Sequence, residues 1–321
     1  MHQYTFSRLA LFLIALLFAT NACQRVPDQI EPHINYAVQD RYLRSLPSPF
    51  PPLSDEENAE DWGKEYLIGM TFAHQLDLYQ AITAFKRAEI LLPQEEKARR
   101  LEVQYEILLC YYVGRKYEDA IASFENSNLR RIDTSFPACH DMLMVLYDSY
   151  LQVGDDDQAQ RILQMINQVE PEEAPQLALS SALVHADLPL VRQFAEHMPE
   201  ASYLDDFLAD YEAQKKSIGK AQTLNAFIPG TGYLYLGQTQ SAITAFLLNG
   251  LFIAAAVNFF IHDQIAAGVI CASFEAGWYF GGIFGAGLEA KYYNERLYER
   301  LATPMMNQHR LFPILRLNYA F

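Results

Sequence analysis

Two apolar runs near the C-terminal end limit this chain more than any other feature. Ser241 to Phe260 holds no charged side chain, and Ile265 to Gly287 holds one, Glu275. Only His262-Asp263-Gln264 separates them. As a helix, each run is long enough to cross the roughly 30 Å hydrocarbon core of a bilayer. A soluble core of ordinary size has no room for two such neighbours, so the reading is a short helical hairpin in or on a membrane. Before it stands Pro229-Gly230-Thr231-Gly232-Tyr233-Leu234-Tyr235-Leu236-Gly237. This reads as a tight turn leading into the hairpin.

Charge divides the chain in the same way. Residues 225–321 carry five acids and five Lys or Arg, so the net charge of -15 belongs entirely to residues 1–224. An acidic, helix-rich body precedes a neutral, apolar end. Acidity argues against nucleic acid as a partner, because phosphate binding needs a basic face. It also keeps the body soluble.

The first residues read as a targeting segment. Arg8 precedes an apolar core, Leu9 to Ala19, followed by Thr20-Asn21-Ala22-Cys23. This suggests a secretory signal over residues 1–22, not a spanning helix. Cys23 after Ala22 resembles a bacterial lipobox, in which the cysteine is lipidated and becomes the first mature residue. Thr20 stands where that pattern has Leu, and Asn21 is large for its place, so ordinary cleavage and an uncleaved anchor stay open. Gln24 follows, so the Asp that marks inner-membrane retention is absent, which tilts the location toward the outer membrane. Residues 23–54 then read as a lipidated tether, with four prolines between Arg44 and Ser54 keeping it extended.

From Asp55 the sequence is helical and repeats. Gly69, Phe72, Ala81, Phe85, Ala88 and Pro93 fall at the spacing of the tetratricopeptide repeat. Ile107, Tyr111, Ala120 and Phe124 repeat it, as do Leu146, Tyr150, Ala159, Leu163, Ile166 and Pro171. Ala81, Ala120 and Ala159 are 39 residues apart. Small residues let two helices approach, aromatics fill the space between them, and proline ends the pair. Residues 55–200 therefore read as a repeat array. A capping and linker helix occupies 201–224, the turn and hairpin 225–288, and a charged helix and terminal strand 289–321. The strand rests on the alternation of Leu315, Leu317, Tyr319 and Phe321 with polar or small residues. The fold class expected is all-α: a tetratricopeptide-like solenoid, then a two-helix membrane hairpin and a short C-terminal strand.

Repeat geometry places one groove line on Tyr66, Met70, His74, Tyr105, Leu109, Tyr112, Met144 and Asp148. The functional reading is a concave surface for a protein or peptide partner. The competing reading is that these residues pack against the chain's own helices. Gly277, Gly281 and Gly285 lie four apart, as in helices that touch closely in lipid. A tight hairpin sets Glu275 opposite Asn249 and predicts a hydrogen bond between them that fixes its register. The alternative is a Glu275 turned to water. Lys215, Lys216, Lys220, Lys291, Arg296 and Arg300 flank the hairpin and its loop has no Lys or Arg, which runs against positive-inside insertion for an exported body.

The Pro229-Gly230-x-Gly232, Tyr235-x-Gly237 and paired apolar runs, behind the repeats, resemble bacterial envelope tetratricopeptide (lipo)proteins with a C-terminal hydrophobic hairpin. The resemblance implies an exported, membrane-associated protein of a Gram-negative-type envelope, with no activity to transfer. Nucleophile, phosphate-loop and dinucleotide motifs are missing, and no histidine or cysteine spacing suits a metal. Cys110 and Cys139 fit either a disulfide or burial as small apolar groups. No catalytic residue, metal or cofactor is expected. The expected function is a non-enzymatic scaffold with a protein or peptide partner and membrane lipid, self-associating through the hairpin. The alternative is a component of a membrane transport or protein-insertion assembly that oligomerises through its glycine-rich hairpin.

Overall fold

In the computed structural model the described residues are all-helical in their regular structure. They are 25–34, 40–198 and 201–321, so the expected signal segment and Cys23 lie outside the described residues. The chain divides into two compact units, residues 35–197 with 303–321, and residues 1–34 with 198–302.

The first unit opens with a short turn of helix, α1 (Asp40–Leu43), and the proline-rich segment. Ser54 and Glu57 then form a capping box at α2 (Asp55–Ala59), each satisfying a backbone N–H of the other. Consecutive helices follow: α3 (Asp61–His74), α4 (Leu78–Leu91), α5 (Lys97–Val113), α6 (Tyr117–Glu125), α7 (Cys139–Gln152), α8 (Asp156–Val169), α9 (Glu173–Val184) and α10 (Leu188–His197). Each packs on the next along the chain.

One turn is used four times. Leu76, Arg115, Gly154 and Ala186 all have positive φ, at 62°, 56°, 77° and 52°. Each stands between the two helices of a pair, and the following residue leads into the second helix. Asp77, Asp155 and Asp187 occupy that next position and accept the N–H of Gln80, Gln158 and Leu190 at 3.4, 3.1 and 3.1 Å. Near the start of each second helix lies Ala81, Ala120, Ala159 or Val191, every one fully buried. Gly69 completes the first pair, since a Cβ there would lie 2.6 Å from the Phe85 ring.

Two expectations for the ends of this unit fail. The proline-rich segment is a strap held to the helices, not a free tether. Leu43 is buried, and Arg99 donates to the carbonyls of Pro51 and Pro52 at 2.9 and 3.2 Å. The C-terminal strand is absent. Pro313–Arg316 forms one turn of 3-10 helix, and no strand occurs among the described residues. The backbone N–H groups of Asn318 and Tyr319 go to the Asp141 carboxylate, and that of Ala320 to the carbonyl of Pro47. Side-chain and strap acceptors replace a ladder, and Pro313 lacks a donor.

In the second unit the expected single linker helix is broken. α11 (Tyr203–Gln214) ends where Lys215 turns extended, and Ser217 caps α12 (Ile218–Phe227). Asn294 holds both backbone groups of Lys216, at 2.7 and 2.9 Å. α13 (Thr231–Tyr235) follows the Pro229-Gly230 turn. Gly230 has φ 94°, and a Cβ there would lie 2.3 Å from the Ala242 carbonyl oxygen. Its N–H donates to Asn225 Oδ1 at 2.8 Å. α14 (Thr239–Ile261) and α15 (Ile265–Gln308) complete the order. The expected charged helix is thus not separate, because no breaker stands between Gly287 and Glu289. Val26 packs with Ile218, Ala221, Leu236 and Ala290, and Ile30 is buried too, so residues 25–34 are docked as well.

A left-handed backbone costs a non-glycine residue about 1–2 kcal/mol, against about 0.5–1 kcal/mol of extra chain entropy for glycine. Arg115→Gly is therefore expected to raise unfolding stability by about 0.5–1 kcal/mol, as a rise in denaturant midpoint at unchanged slope.

Candidate functional site

The groove expected from repeat geometry is already filled. α5 is buried on every side from Glu102 to Cys110, and α7 from Asp141 to Tyr150. Of the predicted groove residues, Tyr66, Tyr105, Leu109, Tyr112, Met144 and Asp148 are buried, Met70 is half-buried, and only His74 is exposed. Six of the eight are therefore inside the protein. The chain supplies its own cover. Phe50 from the strap and Phe136 pack edge-on or tilted against Tyr105 and each other, at ring separations of 5.6–6.0 Å. The C-terminal segment lies on α7, with Leu311, Phe312, Ile314, Leu317, Ala320 and Phe321 all at most 3% exposed.

Beneath this cover the repeat carries tyrosine–carboxylate pairs. Tyr66 Oη donates to Glu102 Oε1 at 2.5 Å, and Tyr112 Oη to Asp148 Oδ2 at 2.7 Å. Arg99 joins Glu57 and Glu102, with three contacts of 2.7–2.9 Å. Burial still raises the Glu102 carboxyl above the usual range, with Tyr66 and Arg99 opposing it. The Arg99 hydrogen bonds hold Glu57 below it. A cleft of about 960 Å³ opens beside Arg99, lined also by Phe50, Lys97, Arg100, Arg131 and Phe136.

Glu106 is different. It is fully buried, and neither carboxylate oxygen has a hydrogen-bond partner among the described residues. Burial pushes its carboxyl well above the usual range, with Glu102 adding to the effect. Cys110 is buried close to it and Cys139 is half-buried; both are free thiols, so the disulfide alternative fails.

The apolar helices form the other candidate surface. Among the described residues one helix, Thr239–Ile261, is long and apolar enough to cross a membrane, with a mean hydropathy of 1.9 over its most apolar 18 residues. Its only buried residues are Ala242, Asn249 and Ala256, seven apart. The second apolar run does not qualify by the same measure, because Glu275, Trp278, Tyr279 and its glycines dilute it. Ile253, Ala256, Val257 and Phe260 face Ala272, Glu275, Ala276 and Tyr279 across a groove of about 360 Å³. Glu275 therefore lies opposite Ile253 and Ala256, one turn from the expected position. The predicted Asn249–Glu275 bond is not made. Asn249 donates to the Ala245 carbonyl of its own helix at 2.6 Å, and both Glu275 oxygens are without partners among the described residues.

The glycine series is not a packing seam within the chain. A Cβ at Gly277 or Gly281 would meet nothing within 4 Å, and only Gly285 is contacted, by the Tyr233 hydroxyl. Outside the series, close approaches fall at Gly268, against Phe260, and at Gly232, against Ala221 and Ala286.

No protein family, curated protein or solved structure matches this chain.

Because Glu106 keeps its proton in the fold and loses it near the ordinary carboxylate value when unfolded, the unfolded state binds fewer protons above that value. Stability then falls as pH rises, by about 1.4 kcal/mol per unit, until the folded group itself ionises. Glu106→Gln is expected to remove this slope, unfolding at the same midpoint as wild type near pH 4 and later than wild type at pH 8.

Proposed function

We propose that the chain is a non-enzymatic scaffold of a bacterial cell envelope, held at a membrane by a two-helix hairpin and recruiting a protein or peptide partner through a tetratricopeptide-like solenoid. The observation that carries the membrane half is the surface of α14. Ile243, Phe246, Leu247 and Leu251 all face outward, and on α15 Val269, Ile270, Phe274 and Trp278 do the same. The inward positions are small or polar. That inverts the usual amphipathic pattern and suits lipid as solvent better than water. The repeated left-handed turn, the buried alanines and the 39-residue period support the solenoid half.

Lys216 and Lys220 stand over the Tyr235 ring, each at 4.9 Å. Tyr and Lys at one end of an apolar helix pair are the side chains that settle at headgroup depth. They support seating of the hairpin with this end at the interface.

Self-association through the hairpin is a second reading, favoured by the open, exposed positions of Gly277 and Gly281. Under it, replacing both by Ile abolishes the dimer band on cross-linking in membranes and leaves membrane retention intact.

The test of the main reading removes the lipid anchor first. A Cys23→Ser chain is expected to stay in the membrane pellet through an alkaline carbonate wash. A further Leu247→Lys, Leu251→Lys pair, about 2.5–3.5 kcal/mol each at the centre of a bilayer, is expected to move it to the supernatant. A Cys23→Ser chain that washes off by itself would sink the hairpin.

A further inference from the structure

The 39-residue period repeats a hydrogen bond that one repeat does not use. Tyr66 and Glu102 are paired; one period later stand Tyr105 and Asp141. Tyr105 is fully buried, and its hydroxyl has no partner among the described residues. Asp141 lies close enough for its charge to bear on that hydroxyl. Yet the Asp141 carboxylate is taken. It accepts the N–H of Tyr319 at 2.7 Å and that of Asn318 at 3.0 and 3.2 Å. By the spacing of the Tyr66–Glu102 pair, Tyr105 is the donor that this part of the chain offers Asp141; in the structure that carboxylate accepts the main chain of the C-terminal segment instead, and the Tyr105 hydroxyl is left over.

The rest of the seat reads main chain and one side chain. Tyr42 Oη faces the carbonyls of Leu315 and Leu317 at 3.0 and 2.9 Å. The Pro47 carbonyl takes the Ala320 N–H at 3.0 Å. Arg316 forks onto both Glu173 oxygens, at 2.6 and 2.7 Å. These are the contacts of a peptide in a groove, with main chain giving affinity and a forked ion pair giving register. The segment leaves its helix at Arg310, whose φ is 53°.

We infer that the seat formed by α7, the start of α9 and the strap is a peptide-binding site, and that Leu311–Phe321 is its resident and displaceable occupant. The ligand class follows from the seat: an extended apolar peptide with an arginine, an apolar residue next to it, and free backbone N–H groups two and three positions beyond the arginine. Emptying the groove would return Leu311, Phe312, Ile314, Leu317 and Phe321 to water, so the exchange requires an incoming peptide of like chemistry. Asp141 is provided for throughout, because Tyr105 can take over its carboxylate while the seat changes hands. The inference deepens the partner-binding reading and rests on it, but does not depend on the membrane.

The test uses the full chain in detergent, with a protease site inserted between Arg310 and Leu311, cut and then challenged with a fluorescein-labelled synthetic peptide of residues 311–321. The labelled peptide is expected to replace the cut segment saturably and to bind the uncut chain at least about ten-fold more weakly. A peptide with Arg316→Glu is expected to lose about ten-fold or more in affinity. Tyr105→Phe in the receptor is expected to slow the exchange, because the vacated Asp141 then lacks its internal donor; a merely structural tyrosine would not move that rate. Failure of the cut segment to exchange, unfolding of the cut chain, or equal binding of the charge-reversed peptide overturns the inference by making the segment part of the core. A chain that survives the carbonate wash but never exchanges its segment loses this inference alone.

Discussion

A helix apolar or buried on all sides must be covered, and in this protein that requirement falls on α5 and α7. Both lie between the helices that precede and follow them in the chain, and both would still present one face to water. The strap and the C-terminal segment remove that face. Burial then governs the polar side chains left beneath. Each has to find a partner or give up its charge. Tyr66 with Glu102 and Tyr112 with Asp148 take the first course, Glu106 the second. Asp141 takes a third, accepting backbone N–H groups from the far end of the chain.

The two units treat apolar surface in opposite ways. In the helical-repeat unit, residues distant in sequence are brought in to hide it. In the other, Val26, Ile218, Ala221, Leu236 and Ala290 make a compact seat around the Pro-Gly turn, while the outward face of α14 is left bare. Only Ala242, Asn249 and Ala256 are buried there. A water-soluble protein of this length covers such a face with its own chain, as the repeat unit does. The proposal of a membrane rests on this contrast within one chain more than on helix length.

What could be read from the sequence was local and periodic. The alanines at 81, 120 and 159, the aromatic fillers and the helix ends all follow from contacts between neighbours a fixed distance apart. The apolar run of α14 is legible for the same reason. Contacts set by distant chain were not legible. Leu315, Leu317, Tyr319 and Phe321 alternate like a strand, but a strand needs a partner edge, and here a carboxylate on α7 and a strap carbonyl were available instead. The predicted groove residues lie on α3, α5 and α7, and nothing at Tyr105 revealed that Phe50 and Phe136 would cover it, nor anything on α7 that residues 311–321 would lie against that helix. The glycine series could not be placed from spacing alone, because spacing identifies a face and not what meets it. Gly268 and Gly232 make close approaches, while Gly277 and Gly281 stand open.

Asp141 and Glu275 complete the comparison, since both are carboxylates placed where water is scarce. Asp141 is supplied with donors that come from main chain, and main-chain donors are common to every peptide. A carboxylate satisfied in that way selects for an extended backbone and is indifferent to most side chains, which leaves Arg316 with Glu173 to set the register. Glu275 has no donor from its neighbours Ile253, Ala256 and Tyr279. Its helix partner across the groove supplies only apolar or small residues at that level. The repeat unit thus uses a dedicated polar seat to hold a peptide segment, whereas the apolar helices meet at that level by shape alone. Under the proposed function this division assigns recognition to the repeat unit and attachment to the hairpin.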